Sequence, residues 1–254
     1  MSSITWTPPA VSSEARDWRG CVWRIVEAQH VAATMKIVDD AAEQEVLESL
    51  LEASKPALPA AASELDYLLA TPFRYPPAAH GSRFRTVTDP GVFYGAATVR
   101  TSCAELGYWR WRFLQDAEDL ERIGPVAHTA FRAELRTTAV DLRDDPFRTD
   151  AAAWTHPSDY AATQSFARVA RDAGVGAVIY RSVRAAEPSW CLAVLTPTAF
   201  AGRKPHPAMQ SWWLVVNRAE VIWRRDHELI TLAMPCPATT PQPLPAGRRQ
   251  MTQM

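Results

Sequence analysis

Between Asp89 and Phe113 the apolar pattern changes period, and this change limits the folds open to the chain. Asp89-Pro90-Gly91 marks a turn, and Val92-Phe93-Tyr94 reads as a short buried strand. From Thr98 onward Val99, Cys103, Leu106 and Phe113 recur at helical spacing, with Thr98 as N-cap. A buried strand running straight into an amphipathic helix calls for a sheet with a helix packed on it. Further strand signals follow at Val175 to Tyr180, Trp190 to Leu195, Trp212 to Val216 and Val221 to Trp223. A helix is expected after Ser158 or Asp159, burying Phe166, Val169 and Ala170 and ending at Gly174 in a left-handed conformation. The expectation is one mixed domain of helices and strands.

The N-terminal part is read in the same way. Residues 1–20 are expected to be a loose arm, with Cys21 to Ala28 supplying a first strand or its edge. Asp39 or Asp40 caps a helix carrying Val46, Leu47, Leu50 and Leu51 on one face, and that helix stops before Pro56. A second short helix follows Pro59 and buries Leu65, Leu68 and Leu69. Together these make a helical insertion at about residues 37–75 within a domain spanning 21–234. Residues 235–254, rich in proline and poor in apolar side chains, read as a disordered tail.

Composition removes several classes of function. A formal charge of −1 across 254 residues gives no global basic field, which argues against direct nucleic-acid binding. No segment approaches the roughly 18 to 20 apolar residues that span a membrane. Residues 1–10 lack a basic start and an apolar run, so no secretory leader is expected. Cys21, Cys103, Cys191 and Cys236 are widely spaced, as free thiols of a cytoplasmic protein would be. The six histidines have no metal-ligand spacing, and neither a Gly-x-Gly-x-x-Gly nor a phosphate-binding loop occurs. The expectation is therefore no metal.

Five residues carry chemical possibilities. Arg83 and Arg85 alternate on a stretch read as extended, so both guanidiniums can reach one anion, unless they are simply solvated surface charges. Tyr94 and Phe93 point to opposite faces, and one of them is available to a cleft. Glu105 lies about two turns into its helix, between Cys103-Ala104 and Leu106-Gly107, small or apolar neighbours that a solvated glutamate rarely needs. Ser182 follows the strand Val175 to Tyr180 and is placed to orient a carboxylate or an amide. Trp109 and Trp111, interleaved with Arg110 and Arg112, either line a surface or serve helix packing, and packing is the preferred reading. An anion clamp, a ring-stacking hydroxyl and a carboxylate suit cleavage of a glycosidic bond in a nucleotide such as NAD.

In order and spacing the chain resembles the RES domain family. The matching pieces are Trp23-Arg24-Ile25, Gly81-Ser82-Arg83-Phe84, Gly91 to Ala96, Ala104-Glu105 and Tyr180-Arg-Ser182-Val-Arg184, with Glu105 eleven residues beyond Tyr94. The resemblance implies an α+β fold like that of ADP-ribosyltransferases, a split mixed sheet with flanking helices around an NAD cleft. It implies a toxin that degrades NAD with water or phosphate as acceptor. The alternatives are transfer of ADP-ribose to a protein, or a binding module without turnover. It further implies an antitoxin partner with a helix-turn-helix domain; self-association stays open. Arg83, Tyr94, Glu105 and Ser182 become the expected catalytic set, and Arg24, Arg83, Arg85 and Tyr94 the NAD-binding set.

Overall fold

β1 (Arg16–Glu27) and β3 (Arg122–Asp141) run antiparallel in register from Arg16↔Ala139 to Glu27↔His128, and the rest of the sheet is built on this pair. The computed structural model describes residues 6–28, 38–77 and 81–235. The remaining strands are β2 (Phe93–Ala96), β4 (Ala177–Arg181), β5 (Trp190–Val194), β6 (Gln210–Asn217), β7 (Glu220–Arg225) and β8 (Glu228–Ala233). Their order is β1-β2-β5-β4-β3-β6-β7-β8, with β1 also paired to β3. Five strands therefore close on themselves, and β6, β7 and β8 extend from the other half of β3. All pairings are antiparallel except β3 with β4, so the fold is α+β with a mixed sheet, as the sequence leads one to expect.

Alternation along the strands sorts side chains between the two faces. Phe93, Phe131, Leu135 and Leu192 pack with Leu69 and Phe73 of α3 (Tyr67–Arg74). On the other face Tyr180, Phe84 and Trp154 cluster with Phe166 of α6 (Ala161–Asp172). A third cluster joins α4 (Val99–Asp116) to the extension through Cys103, Trp111, Leu114, Trp212, Leu214 and Trp223. α4 comes so close to β7 that a Cβ on Gly107 would lie 2.8 Å from Val221 Cγ1.

Several local expectations need correction. Residues 8–20 are no loose arm: Pro8–Glu14 form α1, Val11 is fully buried, and β1 begins at Arg16. Asp40 does cap α2 (Ala41–Ser54), accepting from the amides of Ala42 and Glu43, but the helix buries none of its residues. Its Val46, Leu50 and Leu51 are exposed and Leu47 is half-buried, so most of that apolar face is open to solvent. α4 follows its Thr98 cap, yet its buried stripe runs through Cys103, Gly107, Trp111 and Leu114, and Phe113 faces out. The expected tail, Pro235 apart, lies outside the described residues.

Candidate active site

The stretch from Gly81 to Arg85 is a tight hairpin rather than an extended segment. Ser82 and Arg85 exchange backbone hydrogen bonds of 2.7 and 3.2 Å. Gly81 takes φ +69°, and a Cβ there would lie 2.4 Å from the Arg85 carbonyl oxygen, so the turn requires glycine. The hairpin drives Phe84 into the core against Tyr180, ring centroids 4.8 Å apart. Tyr94 fastens it: its hydroxyl accepts from the Phe84 amide at 3.0 Å and shares a 2.8 Å hydrogen bond with Ser82 Oγ. Burial raises the Tyr94 pKa, so the phenol stays protonated.

This turn separates the two arginines read as a pair. Arg83 is buried, and its Nη1 donates to the carbonyls of Trp154 and His156, both at 3.0 Å. Its Cζ lies 4.6 Å from the Tyr160 ring centroid. Arg85 points elsewhere, donating to the carbonyls of Asp89 and Tyr75. The physical reason is that i and i+2 share a side only in extended chain, which the Ser82–Arg85 bridge forbids.

A cavity of about 380 Å³ collects residues remote in sequence. Arg24, Arg83, Tyr94, Glu105, Tyr160 and Arg184 are among those that line it. Arg24 leaves β1 and donates to the Tyr94 carbonyl at 2.8 Å, with Cζ 4.8 Å from the Phe93 ring centroid. Its Nε has no hydrogen-bond partner among the described residues, and burial lowers its pKa to about 10, leaving a cation at neutral pH.

Glu105 enters from α4, which Ser102 ties to β1 by a 3.0 Å hydrogen bond to the Trp23 carbonyl. Oε1 of Glu105 accepts from Ser182 Oγ at 2.6 Å and lies 3.6 Å from the Cys191 thiol. No described residue donates to its Oε2. Ser182 is buried at the end of β4, and its Oγ also accepts from the amides of Arg184 and Ala185 at 3.3 and 3.2 Å. Those two amides leave the hydroxyl proton directed at Glu105. Burial holds the Cys191 pKa above its ordinary value, so that thiol is neutral.

The described structure thus gathers Arg24, Arg83 and Tyr94 with Glu105 around one cavity, and Ser182 stands behind Glu105. Arg85 lies in the wall of a neighbouring cavity. Sequence reasoning gave Arg184 a place in the family match but no role, did not mark Tyr160, and preferred packing to surface lining for Trp109. Arg184 stacks over Tyr108, Cζ 3.5 Å from the ring centroid, and donates to the Pro157 carbonyl. Its place two residues after Ser182 was a usable signal; Tyr160 offered none. Trp109 is half exposed and lines the cavity. Among the described residues no cluster of His, Cys, Asp and Glu is placed to hold a metal. No described helix is long and apolar enough to cross a membrane.

Asp89 anchors the loop between the hairpin and β2. Burial raises the pKa of its carboxyl, but hydrogen bonds from Arg168 and Thr86 outweigh this and hold it at about 2. That is below a free aspartate, near 4. Its contribution is complete above the unfolded value and is lost as pH falls through about 2. Asp89→Asn is expected to melt below the wild type at neutral pH, with the gap closing towards pH 2. Thermal melts by circular dichroism across that range check this; a gap independent of pH would refute it.

A RES domain family model matches residues 58–217, and the chain belongs to that family. The matched span contains Arg83, Tyr94, Glu105 and Ser182, whereas Arg24 precedes it. Among solved structures the chain is similar to one in the M. tuberculosis MbcT–MbcA toxin–antitoxin complex. Identity is 12%, coverage is 82% of this chain and 91% of that one, and the TM-score is 0.47. No curated protein matches.

Proposed function

We propose that this RES-domain protein breaks the bond between nicotinamide and ribose in NAD, passing the sugar to water or phosphate. The observation that carries the reading is the Glu105–Ser182 pair at a cavity also lined by Arg24 and Arg83. Nicotinamide in NAD is a cationic leaving group. When the glycosidic bond breaks, its electron pair neutralises the pyridinium ring, and positive charge develops on the sugar carbon. A fixed carboxylate lowers the energy of that charge without further reorganisation. Ser182 holds Oε1, so Oε2 is the oxygen left to meet the substrate. Oxygen of water or phosphate then forms the new bond to the sugar carbon, and a water acceptor gives up its proton to solvent.

The guanidiniums of Arg24, Arg83 and Arg184 supply positive charge for the substrate's phosphates. Tyr94 acts through the hairpin that carries Arg83, since its hydroxyl is already engaged there. A toxin role, a cytoplasmic site of action and an antitoxin with a helix-turn-helix domain follow from the family resemblance and are part of this proposal. The test is incubation of the purified protein with NAD, with and without phosphate, and identification of products by mass. Free nicotinamide is expected, with ADP-ribose in water or its 1″-phosphate when phosphate is the acceptor. NAD recovered intact under both conditions would overturn the reading.

A further inference from the structure

β8 (Glu228–Ala233) ends the sheet, and among the described residues no strand pairs with its outer edge. Edge strands are commonly protected from stray pairing by lysine, proline or an inward-pointing charge. Leu229-Ile-Thr-Leu-Ala233 carries none of these. The orientation of its backbone follows from one contact at its end. The Met234 amide donates to the Ala219 carbonyl at 2.8 Å, one step beyond the Glu220↔Ala233 pair. Hydrogen-bonded and non-hydrogen-bonded pairs alternate along an antiparallel ladder. Ile230 and Leu232 therefore bond to β7, whereas the N–H and C=O of Leu229, Thr231 and Ala233 point out of the sheet.

We propose that β8 pairs antiparallel with β8 of a second copy of this chain, about a twofold axis at Thr231, so that the sheet continues from one copy into the other. An antiparallel strand edge is its own complement under such an axis. Centred on Thr231, the pairing gives a partner to every outward N–H and C=O of Leu229, Thr231 and Ala233 in both copies.

The side chains suit this register. Leu229, 60% exposed, falls opposite the small Ala233. Thr231 falls opposite its own copy, a favourable cross-strand pair. On the inner face Ile230 falls opposite Leu232, so the apolar cluster beside α4 continues across the axis. Charge is complementary as well. Cross-strand neighbours run Trp213, Arg224 and Leu229 in one copy, then Ala233 and Glu220 in the other. Within one chain Arg224 donates to the Asp226 carbonyl and Glu220 accepts from Asn217, and neither joins an ion pair among the described residues. The pairing brings these opposite charges into one row and sets no like charges against each other.

Sedimentation equilibrium of the whole chain tests the association, and hydrogen exchange locates it. The wild type should sediment at twice the chain mass. Its Leu229, Thr231 and Ala233 amides should gain protection as concentration rises. Thr231→Pro removes an N–H that bonds to nothing within one chain, and an edge strand accepts proline at such a position. Thr231→Lys keeps the backbone and sets two like charges together on the axis. Each variant should fold and associate about tenfold or more weakly than the wild type. If proline disturbs the fold, the lysine variant decides. A wild type that stays monomeric at every concentration reached would overturn the inference, as would undiminished association of the folded lysine variant. Protection of the three amides that does not vary with concentration would also overturn it, because another segment of the same chain then covers the edge.

Discussion

Glu105→Gln is expected to lower NAD turnover by about 10²–10³ while leaving the fold as stable as the wild type. The magnitude is that of removing one preorganised group from developing charge, equivalent to about 3–4 kcal/mol of transition-state stabilisation. Glutamine keeps the size of the side chain and can still accept from Ser182 Oγ, now 2.6 Å from Oε1. Only the negative charge goes. Among the described residues Glu105 is in no ion pair, so no cation is stranded by its neutralisation. The loss should therefore appear in kcat, with KM little changed, because ground-state NAD carries no charge on the sugar carbon for the carboxylate to meet. Single-turnover rates with equal melting temperatures check the prediction. Wild-type kcat in a folded Glu105→Gln protein would remove Glu105 from the chemistry.

Residues 81–105 show where local pattern suffices and where it does not. The helix beginning at Thr98 was legible because a cap and an apolar period are both local, and Thr98 Oγ1 does accept from the Thr101 amide. The unusual setting of Glu105 was legible for a related reason. Small neighbours are needed where α4 approaches β7 at Gly107 while presenting its carboxylate to the cavity. The separation of Arg83 from Arg85 was not legible. It depends on the Ser82–Arg85 hairpin, which Tyr94 and Gln164 secure from elements distant in sequence.

β3 was hidden for a different reason. Phe131-Arg-Ala-Glu-Leu-Arg136 is made largely of good helix formers, so propensity points away from a strand. Pairing with β1, β4 and β6 overrides it, and strand preference is known to yield to such context. The exposed face of α2 misled in the opposite direction: Val46 and Leu50 have the period of a buried helix without the burial. Helical period reports an apolar face, and only tertiary structure reports what covers it.

Trp223→Ala is expected to cost about 3–5 kcal/mol, the range for truncating a fully buried aromatic. For a chain of this size that is a fall of roughly 10 °C or more in melting temperature. Trp223 on β7 has no exposed surface, packs edge-on against His128 with centroids 4.9 Å apart, and lies among Trp212, Leu214 and Cys103. Its Nε1 also donates to the Cys103 carbonyl at 3.1 Å, two residues before Glu105. The indole therefore fixes both the depth and the rotation of α4 at the point where the helix offers its carboxylate. Trp223→Phe retains most of the ring and loses the hydrogen bond, and should cost about 1–2 kcal/mol. If the indole positions Glu105, the Phe variant will lose kcat at temperatures where it remains fully folded, whereas a purely structural role would leave kcat at the wild-type value. Chemical denaturation gives the stabilities, and NAD turnover measured well below the melting temperature gives the kcat.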